Sequence, residues 1–179
     1  MAKRHTGGGL AEKLKGGDLR SIGRSNEAAR EVADSPARFA ALFDAMFADD
    51  PVLCARAADA CEKAAKKHPA LLAPLKKRLL AALPHAHQQE VRWHLAQMLA
   101  YVNTADAEKK RTAAVLKKWL AGDDSRIVRV MSLQALADFA KEAPAMRPEV
   151  AALVRAALRS GIPSLAARAR KLEKEMERA

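Results

Sequence analysis

An arginine recurs at nearly even spacing along most of the chain. Arg56, Arg92, Arg129 and Arg168 lie 36, 37 and 39 residues apart. Their surroundings also agree, since an alanine or valine precedes each arginine and an alanine or leucine follows four positions later. Self-similarity at a period of roughly 20–50 residues is typical of proteins built from stacked repeats. The spacing therefore predicts one structural unit that is repeated along the chain.

The repeated unit is predicted to be a pair of helices. The stretch EVRWHLAQMLAYV, from Glu90 to Val102, contains neither glycine nor proline, and its apolar residues fall on one helical stripe. No segment alternates apolar and polar residues as a half-buried strand would. Short connections rich in Pro, Gly and Asp indicate antiparallel neighbours. The four predicted pairs span about residues 36–48 and 51–66, 70–83 and 87–102, 105–121 and 124–141, and 146–160 and 163–178.

Residues 1–24 differ in composition from the rest of the chain. They contain six of the eight glycines and no proline, and they are basic. Such a segment has little apolar area to bury. We therefore predict a flexible, basic, glycine-rich arm over residues 1–24 and a repeat domain over residues 25–179. Deleting the arm is expected to leave the melting temperature nearly unchanged.

The four arginine-containing stretches resemble the inner helices of HEAT-like repeats, which form an armadillo-type superhelix. The matching segments are DDPVLCARAADAC, HQQEVRWHLAQML, DDSRIVRVMSLQAL and IPSLAARARKLE. The resemblance implies an all-α fold, a right-handed α-solenoid of about four helix pairs whose second helices line a concave face. It also implies a partner on that face, usually a protein or peptide and sometimes nucleic acid. The likeness is specific for the fold and unspecific for function.

Two interpretations of the arginine set stay open. In HEAT-like repeats an Asp in the turn and an Arg on the inner helix tie neighbouring repeats together, and Asp50 and Asp123 stand six positions before their arginines. The second and fourth turns lack that Asp. Arginines on a groove also suit phosphate or carboxylate ligands, so the set can be structural or can face a ligand.

A polar and aromatic ridge on the middle inner helix gives the candidate binding site. Trp93, Gln97 and Tyr101 are spaced i, i+4, i+8, off the apolar stripe. Tryptophan and tyrosine are frequent binding hot spots, although Trp93 could equally fill a gap between repeats. The predicted partner-binding residues are Arg92, Trp93, His94, Gln97, Tyr101, Arg129 and Gln134.

The charge of the chain favours acidic partners. Its formal net charge is +11, which suits nucleic acid or an acidic protein but also serves solubility. Basic clusters such as Lys63, Lys66 and Lys67 are interpreted mainly as solvated faces, with contact to phosphates as the alternative. No apolar run of the length of a membrane span occurs, and the start lacks the core of a secretory signal, so a cytoplasmic location is expected.

Catalytic and metal-binding motifs are not found in the sequence. No nucleophile elbow, phosphate-binding loop or paired-histidine zinc motif occurs, and His85, His87 and His94 do not follow a zinc spacing. We expect no enzyme activity, no catalytic residue, no metal and no cofactor. The favoured function is a non-catalytic scaffold that binds a protein or peptide. Nucleic-acid binding is the alternative, and resemblance to the HEAT-like DNA glycosylases is weaker, because Gln97 stands where a carboxylate would be needed.

Overall fold

The computed structural model describes residues 8–178, and those residues form helices, turns and loops without a strand. This confirms the predicted all-α class. Within the described residues, no helix is long and apolar enough to span a membrane. The ten helices are α1 (Gly8–Leu14), α2 (Ser25–Glu31), α3 (Pro36–Ala45), α4 (Pro51–Lys67), α5 (Lys76–Ala82), α6 (Gln89–Met98), α7 (Asp106–Gly122), α8 (Arg126–Glu142), α9 (Arg147–Leu158) and α10 (Pro163–Glu177).

The helix boundaries follow local sequence signals. Pro36 and Pro51 occupy first-turn positions of α3 and α4, where the missing N–H group is not needed. Ser35 caps α3, and the Asp50 carboxylate accepts hydrogen bonds from two backbone N–H groups of α4 at 2.9 and 3.2 Å. Two short 3-10 turns, Pro69–Leu71 and Ala73–Leu75, precede α5, and Pro74 lies in the second of them. A proline inside an α-helix removes a backbone hydrogen bond, which explains why the α-helix begins only after this position.

The chain divides into two compact units, which meet in sequence at Val102 and Asn103. The first unit is organised around α4, which packs against α1, α2, α3 and α6. Because many of its residues are alanines, α4 is buried on most of its circumference. Small side chains at helix contacts allow neighbouring helices to approach closely.

The described part of the predicted arm packs against the first unit, which differs from the expectation of little burial. Leu10 and Leu14 on α1 are buried, and α1 contacts α4. Arg56 is only 6% exposed. Its guanidinium group donates hydrogen bonds to backbone carbonyls at the end of α1 and in the loop that follows α1. The acceptors are Leu14, Lys15, Gly16, Asp18 and Ser21, at 2.6–3.4 Å.

The loop that wraps Arg56 depends on a glycine. Gly23 has φ of +51°, a conformation that residues with a Cβ rarely adopt. A Cβ at this position would also lie 2.8 Å from the Arg56 guanidinium carbon. The glycines that suggested flexibility therefore include one whose backbone conformation fits the packed loop.

The second unit contains the last four helices. The α8 helix packs against α7, α9 and α10, and α9 also packs against α10. Arg129 on α8 donates a hydrogen bond from Nε to the Leu120 carbonyl near the end of α7, at 2.8 Å. The buried Lys109 ammonium bonds to the Thr104 carbonyl and pairs with Glu142 at 2.9 Å. These contacts fix α7 against α8.

We predict that deleting residues 1–24 destabilises the first unit. The deletion exposes the surface that Leu10 and Leu14 cover, and it removes all five carbonyl acceptors of Arg56. The melting temperature, measured by circular dichroism, should fall by about 10 °C or more. Arg56→Met should reproduce part of the fall, whereas Arg126→Met, at an exposed position, is the control. An unchanged melting temperature would show that these contacts contribute nothing.

Candidate binding surface

The seven predicted site residues lie on both units. Arg92, Trp93, His94 and Gln97 are on α6 and Tyr101 is in the 3-10 turn that follows it, all in the first unit. Arg129 and Gln134 are on α8 in the second unit. Each group is therefore described within its own unit.

The predicted ridge on α6 is half-buried. Trp93, Gln97 and Tyr101 each keep part of their side chain exposed, while His94 is buried with 8% exposure. The centroids of the Trp93 and His94 rings are 5.5 Å apart. Burial removes most of the His94 ring from solvent, and its role in partner binding stays a prediction.

A buried carboxylate on α4 holds Tyr101 in place. The Tyr101 hydroxyl donates a hydrogen bond to Glu62 Oε1 at 2.7 Å, and Glu62 is 7% exposed. A buried carboxylate needs such a donor, because loss of hydration is otherwise uncompensated. The two residues are 39 positions apart in sequence, so the pairing is a product of α4–α6 packing.

A second set of polar contacts joins α6, α4 and α2. His94 Nε2 lies 3.9 Å from Asp59 Oδ1, and the other oxygen of Asp59 accepts a hydrogen bond from Lys63 at 2.6 Å. The same Lys63 ammonium donates to Asn26 Oδ1 on α2 at 2.7 Å. Burial lowers the pKa of His94 to about 4, an effect that the Asp59 carboxylate only partly offsets. The imidazole is therefore uncharged at neutral pH.

A cavity of about 830 Å³ lies between α2 and the C-terminal half of α4. We refer to it as the α2–α4 cavity. Glu62 and Lys63 belong both to its lining and to the polar contacts just described, so residues of α4 link the cavity to the α6 ridge. Its charged and titratable lining consists of Arg30, Glu62, Lys63, Lys66, Lys67 and His68.

The sequence analysis did not identify all residues of the cavity and the polar contacts, and it assigned the lysines among them to a different role. Asp59, Glu62 and Arg30 were not singled out, and Lys63, Lys66 and Lys67 were interpreted mainly as a solvated face. The available signal was the position of Asp59 and Glu62 on a predicted inner helix otherwise rich in alanine. Charged residues on such a helix need partners, and the sequence does not name partners on other helices.

Three of the four repeated arginines, Arg56, Arg129 and Arg168, make hydrogen bonds within the protein. Arg56 and Arg129 donate to backbone carbonyls, and Arg168 donates to Gln134 Oε1 at 2.9 Å. Gln134 in turn donates to both carboxylate oxygens of Asp138, at 3.0 and 3.1 Å. Asp50, the turn residue six positions before Arg56, caps the start of α4. The acceptors of Arg56 are backbone carbonyls. Of the two predicted site residues in the second unit, Gln134 therefore joins α8 to α10, whereas Arg129 joins α8 to α7.

Neither metal coordination nor known relatives assign a role to this surface. Among residues 8–178, no group of three or more His, Cys, Asp or Glu side chains is placed to hold a metal ion. Comparisons with known proteins find no matching family model, no matching curated protein and no matching solved structure. What the surface offers chemically is half-exposed aromatics beside hydrogen-bond donors and positive charge.

We predict that His94 makes the stability of the protein pH-dependent. Its pKa is near 6.5 in the unfolded chain and about 4 in the folded protein. The unfolded state therefore binds more protons between these values, and stability is lost as the pH falls through this window. The loss should be on the order of 3 kcal/mol. Urea unfolding of His94→Gln, measured from pH 4 to pH 7.5, should show a flatter pH dependence than that of the wild type. Identical pH profiles for His94→Gln and the wild type would contradict the assignment.

We also predict that the Tyr101 hydroxyl contributes to stability. Tyr101→Phe keeps the ring but removes the donor to buried Glu62, which should cost about 1–3 kcal/mol in urea unfolding. A double-mutant cycle with Glu62→Gln measures the coupling between the two side chains. Strictly additive effects would show that the hydrogen bond contributes nothing. Because the ring is half-buried, Tyr101→Ala should cost more than the small loss expected for an exposed ring.

Proposed function

We propose that this protein is a non-catalytic interaction module that binds a protein or peptide through its first unit. The observation that carries the proposal is that residues of α4 contact the α6 ridge and also line the α2–α4 cavity. Glu62 both lines the cavity and accepts the Tyr101 hydroxyl, and Lys63 both lines the cavity and pairs with Asp59. The aromatic ridge and the cationic cavity are therefore connected through the same stretch of α4.

The geometry of the ridge supports a binding role. Trp93 and Tyr101 keep part of their rings exposed, and Tyr101 is fixed by its hydrogen bond to Glu62. A side chain that is already held in one position loses less conformational entropy when a partner binds. Amphipathic aromatics of this kind are enriched among the residues that dominate binding energy at interfaces.

We further infer that the helix pairs are HEAT-like repeats of a right-handed α-solenoid. Support comes from the even spacing of the four arginines and from the paired helices that follow the predicted boundaries. In such a repeat protein α4, α6, α8 and α10 would be the inner helices. The proposed surface would then belong to the first two repeats.

Nucleic-acid binding is the second candidate function. It is favoured by the formal net charge of +11. Contacts between cationic side chains and phosphates are independent of base sequence and weaken steeply with added salt. A salt titration of oligonucleotide binding therefore separates this candidate from peptide recognition.

Selection from a displayed peptide library tests the proposed function. We expect the wild-type protein to enrich a peptide consensus that the folded Trp93→Ala/Gln97→Ala variant no longer binds. The loss should be on the order of 1–3 kcal/mol, measured by isothermal titration calorimetry. Ile127→Ala removes a 47% exposed apolar side chain in the second unit and is the matched control. Enriched peptides that bind the ridge variant as tightly as the wild type would refute the surface assignment.

Tight, salt-sensitive oligonucleotide binding without peptide enrichment would favour the second candidate.

A further inference from the structure

Several positively charged side chains at the α2–α4 cavity have no partner among residues 8–178. Arg30, Lys66, Lys67 and His68 line it, and their side chains make no hydrogen bond or ion pair with the described part of the chain. Lys63 differs, because its ammonium group is bonded to Asp59 and Asn26. The partnerless groups are thus concentrated where a ligand could enter.

Nearby carboxylates are already engaged elsewhere. Glu27 and Glu31 on α2 pair with Lys13 at the neighbouring α1. Arg24 also bonds to Glu27, and Arg38 to Glu31, at 2.6 and 2.7 Å. These pairings leave the acidic residues of α2 committed to cations that do not line the cavity.

The charge of the cavity lining is therefore positive. Arg30, Lys63, Lys66 and Lys67 contribute four positive charges and Glu62 contributes one negative charge, a formal sum of +3. Arg30 lies in the last turn of α2, and Lys66 and Lys67 lie in the last turn of α4. The partial negative charge at a helix C-terminus offsets part of the repulsion between such cations.

The uncharged part of the cavity lining is largely aliphatic. Ala29, Ala33 and Ala64 contribute methyl groups, and their small size leaves the space that a larger side chain would fill. Single-stranded nucleic acid is commonly bound through aromatic side chains on which bases stack, whereas the ring among the lining residues is that of His68. Glutamate side chains combine a carboxylate with an aliphatic stem, and they match cationic and methyl groups at once.

We propose that the α2–α4 cavity binds an acidic peptide segment, in which carboxylates pair with Arg30, Lys66 and Lys67 while aliphatic stems pack on Ala29 and Ala33. This inference rests on the proposed function, because it names the chemistry of the partner that the first unit binds. Salt sensitivity is expected, since the pairing groups are partly exposed to solvent.

Fluorescence anisotropy with a labelled glutamate-rich peptide and a glutamine-rich peptide of equal length tests the proposal. The full chain should bind the glutamate peptide and not the glutamine peptide. Lys66→Ala/Lys67→Ala should weaken binding about tenfold, because two partly exposed ion pairs are lost together. Arg30→Ala should weaken it severalfold. The matched control is Lys110→Ala/Arg111→Ala, which removes the same charge from two adjacent exposed residues of α7. Circular dichroism checks that each variant is folded.

Three results would overturn the proposal. Equal weakening in the Lys66/Lys67 and Lys110/Arg111 variants would show nonspecific attraction to a basic protein. Failure of the glutamate peptide to bind at low salt would show that the cavity does not take carboxylates. Tighter binding of an oligonucleotide of equal charge, with the same dependence on Lys66 and Lys67, would assign the cavity to phosphates.

The library selection separates failure of this inference from failure of the proposed function. If selected peptides depend on Trp93 and Gln97 but not on Lys66 and Lys67, the binding module stands and the acidic partner is wrong. If the selection yields no peptide that depends on the ridge, while the glutamate peptide still requires Lys66 and Lys67, the cavity assignment stands without the ridge.

Discussion

The first unit depends on the burial of α4, a helix whose alanines let four neighbouring helices pack around it. The charged residues on the buried faces of this helix need partners, because an isolated buried charge is strongly destabilising. Arg56 near its start is satisfied by carbonyls of the N-terminal loop, and Glu62 in its second half is satisfied by Tyr101. The two buried charges thereby fix the N-terminal segment and the α6 ridge to the same helix.

In the proposed function, the residues that stabilise α4 also support the binding surface. Asp59, Glu62 and Lys63 belong to a helix whose remaining faces are core, so their side chains are held by rigid backbone. A binding surface built on a packed helix is positioned more accurately than one built on a loop. The coupling also means that Tyr101 serves as a structural donor to Glu62 while part of its ring stays exposed.

The net charge of the chain does not show which cationic side chains are neutralised by ion pairs within the protein. The ion pairs of Lys109 with Glu142 and Lys117 with Glu149 each join residues more than 30 positions apart. Those contacts neutralise cations that the sequence displays as basic clusters. An excess of positive charge remains around the α2–α4 cavity. Such a local excess, rather than the total charge, determines which ligand is attracted.

The sequence by itself determined the helical class and the positions of most helix boundaries, because capping at Asp50 and first-turn prolines act within a few residues. It also marked Arg56 and Arg129 as equivalent, and both bind backbone carbonyls. It did not reveal the docking of α1, since two leucines in a glycine-rich segment form too short a pattern. The Tyr101–Glu62 bond and the α2–α4 cavity were decided only by tertiary structure, because partners 39 residues apart and the space beside small alanines depend on how helices pack.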